Sequence, residues 1–339
     1  MATNKFVFLS IIMVTLQITS CYKDGNPQQY SLARIYSIKI DGSERKQIAI
    51  GYNFTLLPDG KIIYVNDLSL YSCNPDGSGK KIISPGGTIS AVTYQLYMYK
   101  KKILLFQYLN SNTYFYVMNF DGSELTQLNV PSNIDIYRGI TFSPDGSKIA
   151  FSNTTGLYIM NSDGSDQTQI KDSTNKSYCY NLNFSPDGNN VIYIYDIHDD
   201  DGRDLRIYNI KSLMDTSLFY NNSWGNEVRT FEVSKWNTLV FNSGHDINLI
   251  NLNNFSNSFL HRGLDPHLSY DSSKITFINY DTPAIYVMDL ITNSTELINV
   301  NLPGNMIWHP ILSLDEKHVF FQTDTVWYES KKNVNNIVY

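Results

Sequence analysis

One pattern recurs along most of the chain and dictates what it can fold into. It is clearest in Phe142-Ser143-Pro144-Asp145-Gly146-Ser147-Lys148-Ile149-Ala150-Phe151, followed by Leu157-Tyr158-Ile159-Met160-Asn161-Ser162-Asp163-Gly164-Ser165. The next copy opens at Phe184-Ser185-Pro186-Asp187-Gly188, and an earlier one at Leu57-Pro58-Asp59-Gly60 leads to Asn74-Pro75-Asp76-Gly77-Ser78. Degenerate copies sit at Tyr97-Met98-Tyr99-Lys100, Ser234-Lys235-Trp236-Asn237, Ser269-Tyr270-Asp271-Ser272 and Ser313-Leu314-Asp315-Glu316. In the full Pro-Asp-Gly corners Pro presets the first turn dihedral and Gly supplies the positive φ that closes it. The apolar runs between corners have the length of strands, and the second corner, Asp121-Gly122 or Asp163-Gly164, is a hairpin signal. Each unit therefore reads as a four-stranded antiparallel meander, the blade of an all-β propeller.

The ends of the chain indicate how the ring closes. Ile35-Tyr36-Ser37-Ile38-Lys39-Ile40-Asp41-Gly42-Ser43 matches the second half of a unit, and residues 311–322 supply a first half, with Val326-Trp327-Tyr328 a further strand. Pairing the two halves in one blade removes the open edge and gives seven blades, with six and eight left open. The propeller is expected over residues 31–339. Counted without the first twenty residues, the chain allots about 46 residues to each of seven blades.

Those first twenty residues read as an address. One cation, Lys5, precedes an apolar run from Phe6 to Leu16. As a helix it would span about 16 Å, against about 30 Å for a bilayer core, so it reads as a secretory signal. Ile18-Thr19-Ser20-Cys21 then resembles a bacterial lipobox, which implies cleavage before Cys21 and lipidation of its thiol. Residue 22 is Tyr, not the Asp of inner-membrane retention, so an outer-membrane anchor is expected, facing the periplasm or the surface. Residues 21–30 read as a polar tether. With 26 Lys and Arg against 32 Asp and Glu, the chain has no basic footprint for nucleic acid.

The Ser-Pro-Asp-Gly corner, the tyrosine-rich strand and Met160-Asn161-Ser162-Asp163-Gly164-Ser165 together resemble the TolB-type, WD-like propeller repeat. The resemblance covers nearly all of residues 30–330, and it implies the fold far more than any activity. TolB also carries an N-terminal α/β domain, for which this sequence leaves no room, so the TolB role is not carried over.

Candidate site residues follow from aligning the strands that precede each first corner. One and three positions back the residues are apolar: Phe142 and Ile140, Phe184 and Leu182, Val233 and Phe231, Leu268 and Pro266. These are expected to pack between blades. Two and four positions back stand Thr55 and Asn53, Gln95 and Thr93, Thr141 and Gly139, Asn183 and Asn181. Glu232 and Thr230, His267 and Asp265, and Ile311 and His309 complete the series. All but Ile311 are polar or Gly, so a polar ring round a central channel is expected to bind a polar ligand. Within it Asn53, Asn181, Asn183, Glu232, Asp265, His267 and His309 are the binding candidates. The last four bring two carboxylates and two imidazoles together, groups that bind metals or move protons.

The oligogalacturonate lyases, a related seven-bladed family, use His-rich metal chemistry in the channel, which implies a polysaccharide-cleaving alternative. No clustered His-x-His matches here, and no resident metal or cofactor is expected. His198-Asp199-Asp200-Asp201-Gly202-Arg203-Asp204 breaks calcium-loop spacing at Ile197 and reads as a long hairpin. No nucleophile elbow, zinc-protease helix or phosphate loop occurs. The sequence reading is thus a lipid-anchored module of the cell envelope that binds a protein or glycan. Loop Tyr and Trp residues offer it contact surface.

Overall fold

In the computed structural model, the described residues run from 33 to 323, apart from 67–68, 85–91, 98–101, 110–111, 129–138, 174–176, 198–201, 222–226, 280–281, 283 and 303–305. The signal segment, Cys21, the tether, the corner at Tyr97-Met98-Tyr99-Lys100 beyond Tyr97, and Val326-Trp327-Tyr328 lie outside them.

Seven four-stranded antiparallel sheets form a seven-bladed β-propeller, with no helix among the described residues. Blades 1 to 6 are continuous meanders over residues 52–82, 92–127, 140–172, 177–221, 228–262 and 264–299. Blade 7 joins the two ends of the chain. Its inner strands are Ile307–Leu312 and His318–Thr323, and its outer strands are Arg34–Lys39 and Lys46–Ile50. Arg34–Lys39 pairs along its whole length with His318–Thr323, Arg34 opposite Thr323 and Lys39 opposite His318. The closure expected from the sequence is the one observed.

Each interface between blades holds one apolar cluster. Ile140, Leu182, Phe184, Phe231, Val233 and Leu268, read from the sequence as inter-blade residues, all belong to these clusters. The second strand of six blades sets an aromatic ring at one equivalent position: Tyr64, Phe151, Tyr193, Phe241, Phe277 and Phe321, all with no exposed surface. Leu105 takes the place in blade 2. Alternation in the strand, Lys148-Ile149-Ala150-Phe151 for example, drives the fourth side chain into the gap between sheets.

The hairpin of blade 4 runs as the sequence suggested, Asn190–Ile197 against Gly202–Asn209, with Ile197 opposite Gly202. Asp196 is bound by Arg203 at 3.0 Å and Asp204 by Arg206, so these carboxylates serve the sheet. Cys73 and Cys179 are both buried.

In a meander, the first and third turns of every blade fall on one face of the ring. We call it the turn face. The chain enters blade 7 at Arg34 and leaves it at Thr323 from the opposite face.

Candidate functional site

The innermost strands are not plain strands. In blades 1, 4, 6 and 7 the pairing slips by one residue, between Tyr52 and Thr55, Tyr180 and Asn183, Leu264 and His267, and Trp308 and Ile311. At each bulge one residue adopts a left-handed conformation: Asn53 (φ 50°), Asn181 (φ 52°), Asp265 (φ 52°) and His309 (φ 59°). Gly139 (φ 117°) stands at the same place in blade 3. These are the residues four positions before each corner. Asn, Asp and Gly tolerate positive φ, so the polarity of this series has a backbone cause as well as a lining role.

The bulges of blades 6 and 7 aim their side chains at one another, and Glu232 of blade 5 joins them. His267 lies between two carboxylates, Nδ1 at 2.7 Å from Oε1 of Glu232 and Nε2 at 3.2 Å from Oδ1 of Asp265. The second oxygen of Glu232 accepts the backbone N–H of Leu268 at 2.7 Å. The second oxygen of Asp265 accepts the backbone N–H of His309 at 2.6 Å. The two imidazoles pack edge to face, centroids 4.1 Å apart. The Phe54 ring of blade 1 lies edge to face with His309, centroids 5.5 Å apart. Four successive blades are thereby tied at the axis of the ring.

Electrostatics follow from this geometry. Both nitrogens of His267 face groups that only accept hydrogen bonds, so the ring is an imidazolium. Burial alone would lower its pKa, but Asp265 and Glu232 outweigh burial and push it up to about 10. Burial likewise favours neutral carboxyls, yet the imidazolium holds Glu232 and Asp265 below the usual carboxylate range. His309 shows the opposite outcome. Burial, reinforced by the charge on His267, lowers it to about 4 against the pull of Asp265 and Glu232, so it stays neutral near pH 7.

The cluster has little free capacity. Ligand atoms of Asp265, His267 and His309 lie within 4.8 Å of one another, a spacing that suits a cation. A metal would have to displace the proton of His267 and break its bonds to carboxylates. As a general base, His267 has no lone pair to offer, and His309 is a weak base.

The candidates read from sequence therefore divide. Glu232, Asp265, His267 and His309 come together. Asn53, one blade beyond, contributes its backbone N–H to Oε1 of Gln322 at 3.1 Å. Asn181 and Asn183 belong to blade 4, and no hydrogen bond among the described residues joins either to the cluster. The side chains of Thr93 and Gln95 lie outside the described ones. Phe54 and Gln322 escaped the corner alignment, since one is apolar and the other lies on a second strand.

No family model and no curated protein matches the chain. Solved structures do. The oligogalacturonate lyase of Vibrio parahaemolyticus is 14% identical over 76% of this chain and 84% of its own, with a TM-score of 0.58. An oligogalacturonate lyase in complex with manganese is 12% identical over 83% of this chain and 79% of that one, with a TM-score of 0.52. TolB from Acinetobacter baumannii is also among the neighbours, 12% identical over 87% of this chain and 64% of its own, with a TM-score of 0.49. At these identities the shared property is the propeller fold.

Proposed function

We propose that this chain is a binding propeller of the bacterial cell envelope, anchored by a lipid on Cys21 in the outer membrane, and that it engages a protein or glycan. One observation carries the choice of a binding module over a channel enzyme: the charged groups of the axial cluster, Glu232, Asp265 and His267, are already paired with one another. All four carboxylate oxygens of Glu232 and Asp265 and both ring nitrogens of His267 have partners within the protein. A general base needs a lone pair for the substrate's proton; the His267 ring has none, and His309 is a weak base. The lipobox-like Ile18-Thr19-Ser20-Cys21 supports the anchor.

The lyase-like alternative rests on the spacing of Asp265, His267 and His309 together with the neighbour that holds manganese. One measurement separates the readings, and a second tests the anchor. Incubating the full-length protein with polygalacturonate, with and without manganese, is expected to release no unsaturated product. Turnover lost in His309→Ala would put the enzyme reading first. Cys21→Ser is expected to move the protein from the membrane fraction to the soluble one. Unchanged membrane association would remove the anchor from the proposal.

A further inference from the structure

Blade 1 departs from its siblings at two positions, and both changes open its gap with blade 2 on the turn face. The first lies in the third strand, one residue after the partner of the buried second-strand ring. That residue points into the gap toward the next blade. In blades 2 to 6 it is Val117, Ile159, Ile207, Leu249 and Val287, each packed in the cluster of its gap. In blade 1 it is Ser72, opposite Ile63 and Lys81. A hydroxymethyl group in place of a branched aliphatic chain leaves the space between the sheets unfilled.

The second change lies in the first corner. In blades 3, 4, 6 and 7 the corner starts with Ser143, Ser185, Ser269 or Ser313. Each hydroxyl donates to the carboxylate of its own corner, Asp145, Asp187, Asp271 or Asp315. Blade 1 has the buried Leu57 instead, so Asp59 receives no such bond. Its carboxylate accepts the backbone N–H of Lys61 at 3.1 Å and pairs with the Lys61 ammonium at 3.2 Å. Blade 7 has Ser37 in the third-strand position but keeps Ser313 in the corner. Only blade 1 combines the two changes.

The result is one cavity of about 470 Å³, a size at which small molecules bind. Ser72 lines it, 3% exposed, and its hydroxyl makes no hydrogen bond among the described residues. Both its donor and its acceptor capacity are therefore open. The charges of the described wall cancel, Lys61 and Lys81 against Asp59 and Asp121. Lys61 is held by Asp59, and the Lys81 ammonium lies 3.4 Å from the backbone carbonyl of Asp121. A uronate would bring a carboxylate with no unpaired cation to meet it. Hydroxyl groups, by contrast, find ammonium donors and carboxylate acceptors side by side. Pro58 and the half-buried Phe120 ring supply an apolar patch for C–H faces. We infer that the cavity between blades 1 and 2 binds a neutral saccharide unit. The inference selects the glycan among the ligands of the binding module proposed above and rests on that reading.

The test presents the full-length protein with neutral oligomers of glucose, mannose and N-acetylglucosamine, and with oligogalacturonides as the anionic comparison, and reads affinity by titration calorimetry. A neutral oligomer is expected to bind and the oligogalacturonides not. Ser72→Ile supplies the side chain of blades 3 and 4, so it is expected to fill the cavity and abolish binding without lowering the melting temperature. Phe120→Ala is expected to weaken binding about tenfold. Lys81→Ala, at an exposed position, is expected to weaken it severalfold with the fold intact. Binding undiminished in all three variants, a preference for oligogalacturonides, or no binding by any neutral oligomer would overturn the inference. Crosslinked capture from the native envelope distinguishes the two levels. A protein or glycan captured equally by the wild type and Ser72→Ile defeats the cavity and keeps the binding module. No capture, with no oligomer bound, defeats both.

Discussion

His267→Leu is expected to lower folding stability by about 3 kcal/mol, or roughly 6 °C in melting temperature for a chain of this size. The loss leaves Glu232 and Asp265 facing one another across a partly buried gap with no cation between them. The lower end of the range for broken buried pairs applies because Glu232 keeps 36% of its side-chain surface exposed. The pH dependence gives the sharper signature. His267 is raised to about 10, above an unfolded value of about 6.5, so its contribution is complete below about pH 6.5 and fades as the pH climbs toward 10. His309 is lowered to about 4, so the unfolded chain takes up a proton before the folded one does, and stability falls as the pH drops from about 6.5 toward 4. The lowered Glu232 and Asp265 add to the loss on the acid side. The cluster therefore stabilises most near pH 6.5. Melting temperatures between pH 5 and 10 should show the alkaline decline in the wild type and its attenuation in His267→Leu, while His309→Phe flattens part of the acid side. An alkaline slope unchanged in His267→Leu would mean that the ring is not the charged centre of the cluster.

Phe321→Ala is expected to cost about 3–5 kcal/mol, and to cost it in a place that distinguishes blade 7 from the others. Phe321 has no exposed surface and stacks on Tyr36, centroids 5.7 Å apart. Phe151 holds the equivalent position in blade 3 and is equally buried, stacked on Tyr158 at 5.3 Å. Truncating either ring should leave a similar cavity and a similar global loss. The chain joins Phe151 and Tyr158 through a tight hairpin, whereas Tyr36 and Phe321 are brought together by strand pairing alone. Hydrogen exchange at Arg34–Lys39 should accelerate in Phe321→Ala and stay near wild type in Phe151→Ala. Equal protection of that strand in the two variants would show that closure does not depend on the Tyr36–Phe321 contact.

Both predictions depend on features that differ in how far the sequence reveals them. The blades were legible because their causes are local. A Pro-Asp-Gly corner and an Asp-Gly hairpin each act over a few residues, and strand alternation needs only nearest neighbours. The two-plus-two closure of blade 7 was legible too, since residues 35–43 carry the second half of a repeat whose first half appears at 311–322. Counting back from the corners also found Glu232, Asp265, His267 and His309.

What that counting could not reach is the direction of each side chain. A bulge adds one residue, and one residue reverses the face a strand presents. Only the bulges at Asp265 and His309 bring those groups to the imidazole of His267, and Glu232 arrives from a separate blade. Turn chemistry and strand period are written into the sequence at short range. The protonation of His267 is a sum over groups from different blades, and the packing of the ring decides which groups meet.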